Sequence, residues 1–423
     1  MARIKMSPTV AYIANEFPSA VEWYVPAEIQ ELRRRGVRVI LCSVWRSDPS
    51  LLAPEHRELA KQTLCLEHFN ARIFFRMLRA FPAGFPRIRD LIFRVLCKGN
   101  EKPMRRLRGL LHTLLGLYFA ALLEGRNIEH IHAHHGYFSA WIAVIVARAL
   151  GVPYSLTLHG SDLLLHAAYL DTKLGECTYC LTISEFNRRH ILAHYPMISP
   201  ARVFVQHLGV GVPPKNRPVC GVEAISHHPL LLSVGRLHPV KNHLFLVQAC
   251  YVLRESGIDF HCVIAGEGPE RRKLEWLIGE LRLWEFVTLA GHLSRAEVDA
   301  MYEQADLVVL TSRSEGIPLV LMEAMAHEKI VLAPAITGIP ELVTDGKTGF
   351  LYEPESLEQF VWRVDQIFRS LNVLDSVKRA ARQYVITHFD QQTNLAAFGK
   401  FFVEQLVKSE RRPIREDPVL QQV

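Results

Sequence analysis

The segment Thr311-Ser-Arg-Ser-Glu315-Gly316-Ile317-Pro318-Leu319-Val320-Leu-Met-Glu323 places two carboxylates around a predicted helix start. Proline suits a first helical position, so the pattern predicts a helix opening at Pro318. The amides of Leu319 and Val320 then lack a carbonyl partner inside the helix. Free amides at the positive end of a helix dipole form an anion site suited to a pyrophosphate. Glu315 lies in the loop before that site, and Glu323 falls about one and a half turns into the helix. Carboxylates on either side of a phosphate suit hydroxyl groups, one sugar ring each. The same spacing also describes a surface loop with Glu323 solvated.

A second segment, Leu230-Leu-Leu-Ser-Val-Gly235-Arg236-Leu-His-Pro-Val-Lys241-Asn242, ends a buried strand at Gly235 and puts two cations on the following loop. Arg offers a planar fork of donors and Lys a compact charge, a frequent pairing around phosphate oxygens. In Val263-Ile-Ala-Gly266-Glu-Gly-Pro, glycine at a strand end permits close backbone approach, but the third glycine of a dinucleotide fingerprint is missing. A nicotinamide-dependent enzyme is disfavoured. His159 follows the run Ser155-Leu-Thr-Leu and is placed to hydrogen-bond a substrate hydroxyl. His130, His132 and His134 share one face of a predicted strand, yet no nearby carboxylate spacing completes a metal site. Cys177 and Cys180 have C-x-x-C spacing without the second pair that zinc requires.

These residues need strands to present them. Continuous apolar runs recur at Thr9–Ala14, Val37–Val44, His130–His134, Tyr154–His159, Tyr179–Ser184 and Val203–Leu208. They recur again at Leu230–Val234, Phe260–Ala265, Val287–Ala290, Leu307–Thr311 and Ile330–Ala333. Runs without alternation mean strands buried on both faces, hence parallel sheets covered by helices. The Gly- and Pro-rich segment Gly209–Pro218 reads as a linker. We therefore expect two doubly wound α/β domains, residues 1–212 and 219–388, facing across a cleft, with ligands outside the strands' carboxyl ends. A helix over about 389–410 follows and can pack back on the first domain; Arg411–Val423 reads as a polar tail.

The 423 residues are 49% hydrophobic and 22% charged, an ordinary globular balance that excludes disordered and disulfide-framework classes. Eight scattered cysteines fit a reducing compartment. The N-terminus lacks a signal-peptide core, and the longest apolar run, Leu114–Leu123, is shorter than the roughly 20 residues a bilayer needs, so a cytoplasmic location is expected. The net charge of +6 is mild, but Arg72–Arg108 carries eleven Lys or Arg against Asp90 and Glu101, interleaved with large apolar residues. Basic amphipathic helices of this kind suit an anionic membrane surface. Solvated helix faces are the plain alternative and nucleic acid a third, and no nucleic-acid partner is expected.

Together these motifs resemble the family-4 retaining glycosyltransferases of GT-B fold, and within them the transferases of bacterial exopolysaccharide and colanic-acid assembly. The resemblance is carried by Gly235-Arg236 with Lys241-Asn242, by Gly266-Glu-Gly-Pro, by Ser314-Glu315-Gly-Ile-Pro with Glu323-Ala-Met-Ala, and by Thr337-Gly-Ile-Pro-Glu341 with Asp345-Gly-Lys-Thr-Gly349. The first half matches through His132-Ala-His134 and Leu158-His159-Gly-Ser-Asp162. Where many members carry a glycine pair after the first strand, this chain has Asn15-Glu16-Phe17-Pro18. The resemblance implies that Arg236 and Lys241 hold a donor pyrophosphate with the amides of Leu319 and Val320. It implies that Glu323 binds the ribose, that Glu315 binds the transferred sugar, and that His159 touches that sugar. Gly266, His292 and Leu293 would line the base pocket, with Gly235, Gly316 and Ile317 beside the nucleotide sugar. The implied reaction is transfer from a nucleoside-diphosphate sugar to a saccharide or lipid-linked acceptor with retention, with no metal or other cofactor and no base on the opposite face. An epimerase or phosphorylase of the same architecture, or a non-catalytic membrane-associated protein, are the rival readings.

Overall fold

A computed structural model describes residues 7–19, 22–49, 52, 54–65, 70–99, 101–165, 168–214 and 228–410. The expected tail, Arg411–Val423, and the last part of the expected linker lie outside the described residues. Two compact units form: one from the chain up to Ile183, Asn187–Gln206 and the chain from Leu395, the other from Ser184–Phe186 and His207–Asn394.

The first unit holds a seven-stranded sheet of β1 (Thr9–Glu16), β2 (Arg38–Trp45), β3 (Leu64–Cys65), β4 (His130–His134), β5 (Tyr154–Leu158), β6 (Tyr179–Thr182) and β7 (Val203–Val205). Their order is β3-β2-β1-β4-β5-β6-β7, with every pairing parallel. β4 and β5 are buried at every position although their sequences alternate, because His130, His132, Ser155 and Thr157 pair with one another inside the sheet. One face packs on Phe138–Leu150, whose Trp141 is fully buried. The other meets Tyr24–Arg34 and the helix Gln391–Glu410, through Phe398, Phe402 and Leu406.

The second unit holds β8 (Leu230–Val234), β9 (His261–Ala265), β10 (Val287–Gly291), β11 (Leu307–Val309), β12 (Ile330–Pro334) and β13 (Phe350–Tyr352). The order is β10-β9-β8-β11-β12-β13, again all parallel. Strand order reverses between β1 and β4 in one sheet and between β8 and β11 in the other. Such switch points open a crevice at the carboxyl ends of the strands.

Several expectations are corrected. β3 and β13 were not anticipated, being two and three residues long. Pro318 is the residue before the helix rather than its first turn: its ψ of 119° is extended, and the helix is Leu319–Ala326. The apolar stretch at Leu114–Leu123 is the end of a longer helix, Pro103–Leu123, because Pro103 opens it at a first-turn position. By length and composition this one helix among the described residues could cross a bilayer, but half of its apolar window is buried inside the protein. The seven described cysteines are all free. Cys177 and Cys180 are buried, and burial pushes both thiols up, Cys177 to about 12, so neither is poised for redox or metal chemistry.

Candidate functional site

In the second unit the site grows from the ends of β8, β9 and β11. The Gly235 amide donates to Ala265 O at 2.9 Å, drawing the β8 loop against β9. Gly266 sits at φ +146°, and a Cβ there would meet Gly235 O at 1.9 Å, so no other residue fits. A Cβ on Gly338 would likewise meet Gly316 O at 1.8 Å, which locks the Thr337 turn onto the Glu315 loop.

That turn and the two loops converge on one carboxylate. Glu315 Oε1 accepts from Lys241 Nζ at 2.6 Å and from Ser312 Oγ at 2.6 Å, while its amide donates to Thr337 Oγ1 at 3.2 Å. Thr311 Oγ1 donates to Lys241 O and Asn242 O, pinning the Lys241 loop to the end of β11. Lys241 is thus paired with Glu315, and an ammonium with three protons keeps two for other acceptors. Arg236 is exposed, and its guanidinium has no ion pair or hydrogen bond among the described residues. The first helical amides with carbonyl partners are those of Leu321 and Met322, both to Pro318 O. The Leu319 and Val320 amides precede them. The site therefore holds a free guanidinium, a half-committed ammonium and an uncapped helix start.

Glu323 is not solvated. It is buried, ion-paired to Arg295 and 3.1 Å from the Tyr302 hydroxyl. Burial, with the Glu323 charge beside it, raises the Tyr302 hydroxyl above its ordinary range. Neither partner was anticipated, since Arg295 and Tyr302 lie 28 and 21 positions from Glu323. The only local signal was the capping box of Ser294 and Glu297 that starts the helix Arg295–Gln304. His292 and Leu293 lie on the loop before that cap.

His159 belongs to the first unit, at the end of β5. Asp162 accepts from the amides of His159, Gly160 and Gly136, fixing this loop to the one after β4. Against burial, His135 and these amides hold the Asp162 carboxyl below the usual carboxylate range. His135 stands between Glu22 Oε1, at 3.0 Å, and Asp162 Oδ2, at 3.6 Å, and these carboxylates overcome burial to raise it to about 10. His130 and His132 do not ligate together: both share Ser155 Oγ, at 2.7 and 2.8 Å, as core histidines.

The basic stretch forms two helices, Ala71–Cys97 and Pro103–Leu123, packed on each other. Not all its cations are free. Arg94 is spent on Glu101 and Asp171, Arg106 on the carbonyls of Val95, Leu96 and Gly99, and Arg87 on Ala149 O. Arg72, Arg76, Arg79, Arg89, Lys102, Arg105 and Arg108 are exposed and have no ion pair among the described residues. Phe75, Leu78, Phe85, Phe93 and Leu96 are also exposed. At about 100° per residue they fall within one sector of about 80°. Met104, Leu107, Leu111 and Leu114 form a second exposed stripe, with Met104 and Leu107 each 61% exposed.

Both halves of the chain match known families. Residues 21–212 match the family described as Glycosyltransferase Family 4, and residues 222–384 the one described as Glycosyl transferases group 1. The chain belongs to the family-4 glycosyltransferases. The putative colanic acid biosynthesis glycosyltransferase WcaL of Salmonella typhimurium is 36% identical over 169 residues, which are 38% of this chain and 42% of that one. The amylovoran biosynthesis glycosyltransferase AmsK of Erwinia amylovora is 30% identical over 243 residues, 49% of this chain and 59% of that one. The alignments thus span less than two thirds of these relatives. Anabaena HepE, solved in complex with UDP-glucose, superposes with a TM-score of 0.67 at 15% identity, covering 94% of this chain and 99% of that one. The fold is GT-B, two Rossmann-like units.

Proposed function

We propose that the chain is a retaining glycosyltransferase that moves a sugar from a nucleoside-diphosphate sugar to a saccharide or lipid-linked acceptor in bacterial surface polysaccharide synthesis. The observation that carries this is the Lys241–Glu315 pair at the β8/β11 switch point, with Arg236 on the same loop after β8 and an uncapped helix start just after the Glu315 loop. Cleaving a sugar–phosphate bond builds negative charge on the departing diphosphate, and fixed donors aimed there lower the barrier. Arg236 and the Leu319 and Val320 amides take diphosphate oxygens, and Lys241 bridges them to Glu315. Glu315 accepts hydroxyls of the transferred sugar, while Glu323, oriented by Arg295 and Tyr302, accepts ribose hydroxyls. His159 contributes a polar contact to the sugar. Gly266, His292 and Leu293 line the base pocket. The cations and the helix start supply the countercharge, so the reading includes no metal. WcaL and AmsK carry names of exopolysaccharide assembly, and HepE was solved with UDP-glucose, which supports this substrate class.

The two apolar stripes and their unpaired cations dock the first unit in the plane of an anionic membrane, from the cytoplasmic side. Each cation near such a surface contributes about 1 kcal/mol at most. The half-buried face of Pro103–Leu123 argues for lying on the bilayer rather than crossing it.

Thermal melting against a panel of nucleoside diphosphates and their sugars tests the donor site. A ligand at a hundredfold excess over Kd stabilises by ~2.7 kcal/mol. One nucleotide class should raise Tm with or without chelator. No shift from any nucleotide would contradict the reading, and a shift abolished by chelation would contradict its metal-free part.

A further inference from the structure

The loop that carries His159 is clamped by a residue to which donor binding gives no part. His135 follows β4 at φ +70°, a left-handed conformation that a residue other than glycine keeps only where its surroundings fix it. It is buried, yet it stands between two carboxylates. Glu22 Oε1 lies 3.0 Å from its Nε2, and Asp162 Oδ2 lies 3.6 Å from its Nδ1. Glu22 precedes the helix Tyr24–Arg34 that follows β1, and Asp162 follows β5. One imidazole thus joins the loops at the carboxyl ends of β1, β4 and β5, all within the first unit.

Asp162 carries the constraint onward. Its Oδ1 accepts from the His159 amide at 3.1 Å and the Gly160 amide at 2.8 Å, and its Oδ2 from the Gly136 amide at 2.8 Å. The His135 and His159 rings lie 4.5 Å apart. Two carboxylates keep His135 an imidazolium, because losing its proton would leave both negative charges without a counter-ion. A positive charge beside His159 then opposes a second one on His159 itself. A neutral imidazole offers a sugar hydroxyl one donor and one acceptor, whereas an imidazolium offers donors alone. Departure of a diphosphate also leaves positive charge developing on the sugar, which a cation touching that sugar would oppose.

Resting on the transferase reading above, we propose that His135 is the positioning residue for His159: by bridging Glu22 and Asp162 it fixes where His159 stands and keeps it a neutral partner for the transferred sugar. His159 is the group that touches the sugar, and His135 acts through it. The charged and titratable groups facing this pair are Glu22, Asp162, Tyr24, His134 and Tyr137. Tyr12, Glu28 and His132 lie behind His134, Glu16 beside Glu22, and Lys173 near Asp162. Burial, reinforced by His135, lowers His159 to about 3. Against burial, Glu22 and Asp162 raise His135 to about 10. Between pH 5.5 and 8.5 the parent therefore keeps one fixed cation beside a neutral His159. Glu28 and Lys173, moved by burial to about 7, titrate in that window, so the decisive signal must come from the histidines themselves.

The test is nuclear magnetic resonance of the full chain labelled with nitrogen-15 histidine, titrated over that window. Loss of one signal in His159→Gln and of another in His135→Gln identifies the two rings. The parent, His135→Asn and Glu22→Gln are compared, each first shown folded by circular dichroism; Asn tolerates a positive φ and removes the charge. His159 should stay proton-free in the parent. In His135→Asn it should gain a proton toward the acid end, because Glu22 and Asp162 then face it without their cation. Relative to the parent, kcat for transfer by His135→Asn should fall ~10-fold further at pH 5.5 than at pH 8.5, tenfold for each unit the proton enters the window. Affinity for free nucleoside diphosphate should stay within about twofold, since its phosphate ligands lie in the second unit. In Glu22→Gln, His135 should begin to lose its proton below pH 8.5, and this decides alone if His135→Asn does not fold. A His159 that titrates in the parent or stays proton-free in His135→Asn, an unmoved His135 in Glu22→Gln, or a kcat ratio flat with pH overturns this inference alone. A parent that moves no sugar overturns the transferase reading and this inference with it.

Discussion

Changing Glu315 to Gln separates the two roles that converge on its carboxylate. The amide keeps the shape and can still accept from Ser312, but it removes the charge that now holds Lys241 Nζ at 2.6 Å. If Glu315 grips hydroxyls of the transferred sugar, its charge is needed in the transition state. Hydrogen bonds to charged groups contribute about 1.5–3 kcal/mol, so kcat should fall ~10–150-fold. Lys241 would be released to the diphosphate, and affinity for the free nucleoside diphosphate should hold or rise by up to about tenfold. Both side chains are largely buried, at 12% and 18% exposed, so breaking the pair also costs stability. That cost is ~1–3 kcal/mol, below the figure for a fully buried pair. Initial rates, calorimetric titration with nucleoside diphosphate and a melting curve measure the three quantities. If nucleotide affinity falls by the same factor as kcat/KM, Glu315 acts only by positioning Lys241, and its assignment to the sugar is refuted.

Other consequences are as direct. Arg295→Met should leave Glu323 without its cation and lower the unfolding free energy measured in urea by ~1–3 kcal/mol, with nucleoside affinity reduced; unchanged affinity would remove Glu323 from the ribose. Lys173→Met should destabilise the first unit by ~2–4 kcal/mol, because Nζ donates to Gly136, Tyr137 and Ala168 carbonyls that would lose their partner; a stability change under 1 kcal/mol would contradict this. His135 is raised above its ordinary 6.5 to about 10 by Glu22 and Asp162, so its stabilising contribution is complete below pH 6.5 and lost as pH climbs through about 10. The difference in unfolding free energy between parent and His135→Gln should therefore shrink over that range; a constant difference would contradict it. Parent chain should pellet with anionic but not neutral vesicles, less so at high salt, and Arg72, Arg76 and Arg79 changed together to Gln should weaken this. Equal pelleting with both vesicle types would leave the stripes as ordinary helix surface.

Strand positions were legible because buried parallel strands carry largely unbroken apolar runs, as β8 and β12 show. β13 escaped because only three residues follow Gly349, too few for any period to register. Proline at 318 marked the helix start but not its phase: its fixed φ fits a cap and a first turn equally, and the ψ that decides is set by the loop. The loop residues Lys241 and Glu315 stood out as chemistry at strand ends, yet their direct pairing across 74 positions leaves no local trace. The same holds for Arg295 beside Glu323, and for Tyr12 joining Glu28 to His134 across 16 and 122 positions. Of the eleven cations between Arg72 and Arg108, sequence alone could not separate those on the surface from Arg94 and Arg106, which tie the helix pair together.

The central claim is tested most directly by transfer itself. The full chain is incubated with nucleoside-diphosphate sugars and a membrane extract as acceptor source, with and without chelator, and the product's anomeric configuration is read by NMR. The account predicts release of nucleoside diphosphate coupled one to one with a new glycosidic bond of the donor's configuration, undiminished by chelator. An epimerised sugar, an inverted linkage, or no acceptor-dependent release from any donor would contradict it.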